Sequence, residues 1–138
     1  MIAIIISPER WGSHLVSKHH YAIALSERGY KVYFIQPPSD RFAVELSAYP
    51  NVYLVDYTPL LRGINRLPAF LRNFFAKLDI AAICRYASIT KPDLVWSFDP
   101  FRFHKLRAWN NQAKTIYYAA DVHHTSMDAL VAAYADVV

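Results

Sequence analysis

Apolar and polar positions come in blocks along this chain, and the length of each block decides which element it predicts. Residues 2–6, Ile-Ala-Ile-Ile-Ile, form an unbroken apolar run, the pattern of a strand covered on both faces in a parallel sheet. Residues 13–28 read as a helix that Gly29 ends, because glycine best tolerates the left-handed cap. A second strand over 31–36 stops at Pro37-Pro38, and after a polar stretch residues 51–57 supply a third, centred on Val52, Leu54 and Val55. The longest helix is predicted over 68–89, where Leu67, Leu71, Phe74 and Leu78 recur at helical spacing as one apolar stripe. Residues 93–98 follow as a fourth strand, 103–110 as a short helix, 115–119 as a fifth strand and 127–134 as a further helix. Asp136 opens a sixth strand.

Strands alternating with helices predict an α/β fold with a doubly wound parallel sheet, Rossmann-like, because right-handed crossovers place helices on both faces. In such sheets ligands gather beyond the carboxyl ends of the strands, at the point where the strand order reverses. Topology therefore nominates residues 8–13 after the first strand, Gln36-Pro37 after the second, Ser97 and Asp99 after the fourth, and Asp121, His123 and His124 after the fifth.

Composition fits one domain: 138 residues, 54% of them apolar, with no linker or repeat. The single cysteine, Cys84, excludes an internal disulfide framework and suits a reducing compartment, where it reads as a small buried hydrophobe. The first residues carry no basic leader and Pro8 breaks their apolar run, so they read as a strand rather than a signal or spanning segment, and the expected location is the cytoplasm. The net charge of +4 is local: nine of the 15 Lys and Arg lie between Arg62 and Arg107, against Asp79, Asp93 and Asp99. A basic middle invites anions. No nucleic-acid reading motif accompanies it, so nucleic acid is not an expected partner. An anionic membrane surface at the inner face is an expected one, because Arg62, Arg66, Arg72 and Lys77 surround Leu67, Phe70, Phe74 and Phe75. Core burial of the 67–78 stripe is the plainer alternative use of those residues.

The three glycines, Gly12, Gly29 and Gly63, are too few and too scattered for G-x-G-x-x-G or G-x-x-x-x-G-K-[ST], and no G-x-S-x-G occurs. Tightly bound dinucleotides, P-loop chemistry and an α/β-hydrolase nucleophile are therefore disfavoured. What remains after the first strand is Gly12 directly before a helix start, a loop suited to facing an anion.

Taken in order, Trp11-Gly12-Ser13, Lys18-His19-His20-Tyr21-Ala22, residues 25–32 and Phe34-Ile35-Gln36-Pro37-Pro38 resemble the amino-terminal half of GT-B-fold glycosyltransferases of the family-4-like, bacterial envelope-sugar group. Residues 92–100, residues 117–123 and Tyr134-Ala135-Asp136-Val137-Val138 continue the likeness, so it spans nearly the whole chain. The resemblance implies an amino-terminal, acceptor-side domain over residues 1–138, with a separate carboxy-terminal domain for the nucleotide-sugar donor. It implies no metal and no cofactor. Asp121-Val122-His123 resembles the family's D-x-H segment, whose histidine lies near the transferred sugar, and Lys18-His19 falls where an acceptor is contacted. With Gly12 alone, the first loop departs from the family's commoner paired-glycine form.

The expected catalytic residues are His123 and Asp99, and the expected substrate contacts are Arg10, Trp11, Gly12, Ser13, Lys18, His19, Ser97 and Asp121. Each has a plainer use. Asp99 precedes Pro100 and could only shape a turn, Asp121 could cap one, and Arg10 and Trp11 could anchor their loop instead of flanking a sugar. His14, His19 and His20 lack the carboxylate or thiolate neighbours of a metal site; His19 is expected to pack toward the sheet while Lys18 and His20 stay partly exposed. The expected function is sugar transfer from a nucleotide-sugar to an envelope glycan or lipid-linked acceptor, with this chain inactive alone. The alternative is a stand-alone, non-enzymatic α/β module that binds a small ligand or regulates.

Overall fold

The computed structural model describes residues 1–12, 14–118, 131–132 and 135–137. Among them the chain runs β1 (Ile2–Ile6), α1 (Ser17–Glu27), β2 (Lys31–Ile35), β3 (Ala43–Leu46), β4 (Val52–Asp56), α2 (Ala69–Ala87), β5 (Leu94–Ser97) and β6 (Lys114–Tyr117). The sheet order is β3-β4-β2-β1-β5-β6. From β1 the chain builds outward through β2 to β4, then crosses back to lay β5 on the other side of β1, so the order reverses between β1 and β5.

All pairings are parallel except one: β3 runs antiparallel to β4 at the sheet edge, with Val44 opposite Val55. The sheet is thus mixed rather than wholly parallel, a correction that falls on the stretch read as polar. Ala-Val-Glu-Leu is short and half exposed, and an edge strand needs no apolar run to hold it. The predicted 103–110 helix shortens to one 3₁₀ turn, Leu106–Ala108. Val137 bridges Ile116 in the parallel sense, where a sixth parallel strand was expected to open.

Each helix covers one face of the sheet. Ala22 and Leu25 of α1 pack with Ala3, Ile5, Val32 and Phe34, while Ala76, Ile80 and Ile83 of α2 pack with Ile4, Ile6, Tyr33 and Val55. The alternation of side chains along β1 divides its residues between the two layers. Helix α1 begins at Ser17, later than residue 13, and His19 explains the position: its Nδ1 accepts the Val16 N–H at 3.0 Å, satisfying one of the donors a helix start leaves open. Gly29, at φ 93°, ends it.

Helix α2 is turned differently from the expectation. Its buried face is Ala76, Asp79, Ile80 and Ile83, whereas Phe74 and Leu78 of the predicted stripe are exposed. Cys84 is half-buried, and burial pushes its thiol up to about 11, so it stays protonated near neutrality. No described helix is long and apolar enough to cross a membrane.

Candidate functional site at the carboxyl edge of the sheet

Four strands deliver their carboxyl ends to one place, and Arg102 joins them. Its Nη2 donates to the Ser7 carbonyl after β1 (2.6 Å), and its Nη1 donates to the Gln36 carbonyl after β2 (3.0 Å) and the Tyr57 hydroxyl after β4 (2.9 Å). Its Nε donates to Asp99 Oδ2 after β5 at 2.7 Å. The guanidinium therefore spans the reversal between β1 and β5, where a planar fork of donors can meet acceptors in several directions. Burial opposes its charge, but Tyr57 and Asp99 outweigh that and hold it above its ordinary value. Burial likewise raises the Tyr57 phenol, with Arg102 pulling the other way. The next residue, Phe103, has φ 53°, uncommon for a bulky side chain. That local strain lets Arg102 reach the strand ends while Phe103 stays buried against Tyr57 and Trp109.

Asp99 stands where topology predicted, yet both of its carboxylate oxygens are occupied: Oδ1 accepts the Phe101 N–H at 2.8 Å and Oδ2 accepts from Arg102. Ser97 is fully buried. Its Oγ accepts the Asp99 N–H and donates to the Asp99 carbonyl, both at 3.2 Å, which folds the chain back after β5. Ser7 does the same with Glu9 after β1, at 3.1 and 2.6 Å. Matching serine turns thus close the two strands that flank the crevice.

The first loop is fixed by a second polar cluster. Asp56, buried at the end of β4, pairs with Arg10 at 2.9 Å and Arg41 at 3.3 Å, and accepts from Gln36 Nε2 at 3.0 Å. Gln36 Oε1 in turn accepts the Trp11 N–H at 2.9 Å. The Trp11 ring packs edge-on against His19, Phe34 and Tyr49, so Arg10 and Trp11 have the anchoring contacts that their plainer reading foresaw. Lys18 is buried rather than partly exposed, its Nζ 3.5 Å from Glu9. His19 packs on the sheet as expected, stacked on Phe34, and burial lowers its pKa, with Lys18 acting in the same direction. With Nδ1 accepting, its proton sits on Nε2, which is buried without a hydrogen-bond partner.

Gly12 is exposed beyond this anchored base, and a Cβ there would meet nothing within 4 Å. Ser13, Asp121, His123 and His124 lie outside the described residues. Among the described residues no group of three or more His, Cys, Asp or Glu side chains could hold a metal ion.

Beside Arg102 a cavity of about 300 Å³ opens, at the small end for a ligand site, lined by Tyr57, Leu61, Arg62, Asp79 and Phe103 among others. Asp79 reaches it from α2. Its Oδ1 accepts the Leu60 N–H at 2.8 Å, and burial raises its carboxyl pKa. Sequence reasoning passed over Arg102, Asp56, Tyr57 and Asp79. The available signals were a lone arginine between two phenylalanines just past a strand, and the one acid of helix α2. No protein-family model matches the chain, and no curated protein matches it significantly.

Proposed function

We propose that this chain is the acceptor-side, Rossmann-like domain of a GT-B-type glycosyltransferase, which passes a sugar from a nucleotide-sugar to an envelope glycan or lipid-linked acceptor. The observation that carries the reading is the construction of the first loop. Its base is tied down by Gln36 and Asp56 at the ends of β2 and β4, while Gly12, in the loop that follows β1, stands exposed, where a Cβ would meet nothing within 4 Å. A loop rigid at its root and bare at its tip suits close approach by a phosphorylated or glycosyl ligand. The sequence resemblance supplies the class of reaction.

On this reading Asp99 is a positioning residue: paired with Arg102, it fixes the edge of the crevice, and proton transfer falls to other groups. His123 keeps the role near the transferred sugar that the resemblance gives it. A second domain presents the donor, and the protein works in the cytoplasm. The alternative, a small-ligand module without catalysis, draws on the cavity beside Asp79, which the chain's own connection between β4 and α2 helps to line.

Amide chemical-shift mapping separates the two. Phosphorylated oligosaccharide acceptors should perturb residues 8–12 and 97–102, and nucleotide release from a panel of nucleotide-sugars should stay at background with this chain alone. Multiple-turnover transfer by the chain alone would sink the two-domain reading. Shifts confined to the Tyr57–Asp79 cavity, with none at the first loop, would favour the small-ligand module.

A further inference from the structure

Strand β3 leaves one side of its backbone open. The Ser47 N–H donates to the Val52 carbonyl at 2.9 Å, and the Val55 carbonyl, facing β2, accepts the Gln36 N–H at 3.0 Å. With Val44 opposite Val55 and Leu46 opposite Tyr53, the alternation of an antiparallel ladder turns the backbone groups of Ala43, Glu45 and Ser47 toward β4. The N–H and C=O of Val44 and Leu46 therefore point out of the sheet edge, where no described strand meets them. Such an edge is a template for one more strand.

The side chains along the edge are matched to a second copy of it. Phe42, Val44 and Leu46 alternate onto the face that α2 covers, where Phe42 and Val44 pack on the cluster of Ile80 and Ile83. One end of this face holds a groove of about 480 Å³ lined by Phe42, Ala82, Arg85 and Tyr86, with the Phe42 and Tyr86 rings 5.4 Å apart and Tyr86 53% exposed. At the other end stands Leu46, 61% exposed. A two-fold axis at Val44 sets two copies of the strand antiparallel and brings Leu46 of each opposite Phe42 of the other, so an apolar knob meets an apolar groove twice. On the other face this register puts Glu45 opposite Ala43 and diagonal to Arg41 of the second copy, within reach of long side chains of opposite charge. An axis at Glu45 would instead set two carboxylates against each other. We infer that two copies of this chain join through β3, paired antiparallel about Val44, into one continuous sheet. Strands β4 and β2 separate β3 from β1, so the crevice between β1 and β5 stays open.

Sedimentation equilibrium of the chain over a concentration series should show its mass rising from that of the monomer toward twice that value. Leu46→Lys places on the edge the residue that sheet edges use against pairing, and it should stay monomeric throughout. Because Leu46 is exposed, the thermal melt of that variant should match the parent's. Oxidation in a Cys84→Ser background reads the register. Ala43→Cys with Glu45→Cys should link two chains covalently, since facing residues of a non-hydrogen-bonded pair lie about 4.5 Å apart at Cα, inside the range of a disulfide. Either cysteine alone sits diagonal to its own copy, about 7–8 Å away, and should not link. A monomer at every concentration, a Leu46→Lys variant that dimerises like the parent, no linkage in the double cysteine variant, or equal linkage by the single ones would overturn the inference. No sugar or nucleotide enters the experiment, so the result is independent of the glycosyltransferase reading.

Discussion

At the scale of single residues, Arg102 makes four side-chain hydrogen bonds to groups after four strands. Removing one partner of a buried ion pair leaves the other charge uncompensated, so Arg102→Met should cost about 3–5 kcal/mol, read from urea unfolding. Arg102→Lys should rescue little, since one ammonium cannot hold acceptors on Ser7, Gln36, Tyr57 and Asp99 together. Adding Asp99→Asn to Arg102→Met should recover part of the loss; a double variant as unstable as the sum of the two single ones would mean that the pair is not coupled. Two glycines give a contrast that separates structure from function. Gly29, at φ 93°, should cost about 1–2 kcal/mol on replacement by Ala. At Gly12 a methyl group meets nothing, so Gly12→Ala should leave stability within about 0.5 kcal/mol. Any loss of saccharide binding by Gly12→Ala then reports contact with ligand rather than damage to the fold.

At the scale of elements, what could be read in advance was whatever period and punctuation decide alone. The β1 run, Gly29 and the Pro37-Pro38 stop each act locally, and β1, the end of α1 and β2 follow them closely, whereas the start of α1 and the edge strand β3 carry no such local signal. The rotation of α2 was not legible, because Leu67, Leu71, Phe74 and Leu78 form one apolar stripe and Ala76, Ile80 and Ile83 of the observed buried face form another. Which one meets the sheet depends on how the helix docks, a tertiary matter. Burying Asp79 was the least expected choice, and the Leu60 N–H that it accepts is what makes it tolerable. The end of α2 carries a prediction. Ser88 adopts φ 57° there, and the Ile89 N–H donates to the Cys84 carbonyl at 2.9 Å. This left-handed cap suits glycine, so Ser88→Gly should stabilise the protein by up to about 1 kcal/mol, raising its melting temperature. An unchanged or lower melting temperature would show that the Ser88 conformation carries no strain.

At the scale of the whole molecule, the alternation of strands and helices made the α/β architecture legible, while the polar network that closes the carboxyl edge was not, since it joins residues as distant as Ser7 and Arg102. That network and the two helices bury titratable groups, which ties stability to pH. His19 and His104 are both buried with their pKa values lowered from 6.5, first by desolvation and then by the nearby cations Lys18 and Arg72 respectively. Each therefore folds neutral. The unfolded chain takes up their protons more readily than the folded one, so the stability that they contribute is present above pH 6.5 and is lost as the pH falls from there toward their folded values. Urea midpoints measured from about pH 7 down to about pH 5 should decline steadily, ahead of the range in which most carboxylates titrate. His104→Gln preserves a donor for the Pro100 carbonyl, now met by Nε2 at 2.9 Å, and His19→Asn keeps an oxygen that can accept the Val16 N–H. Combining the two should flatten the decline without removing the contacts. If the slope is the same in the double variant, these histidines do not govern the acid limb.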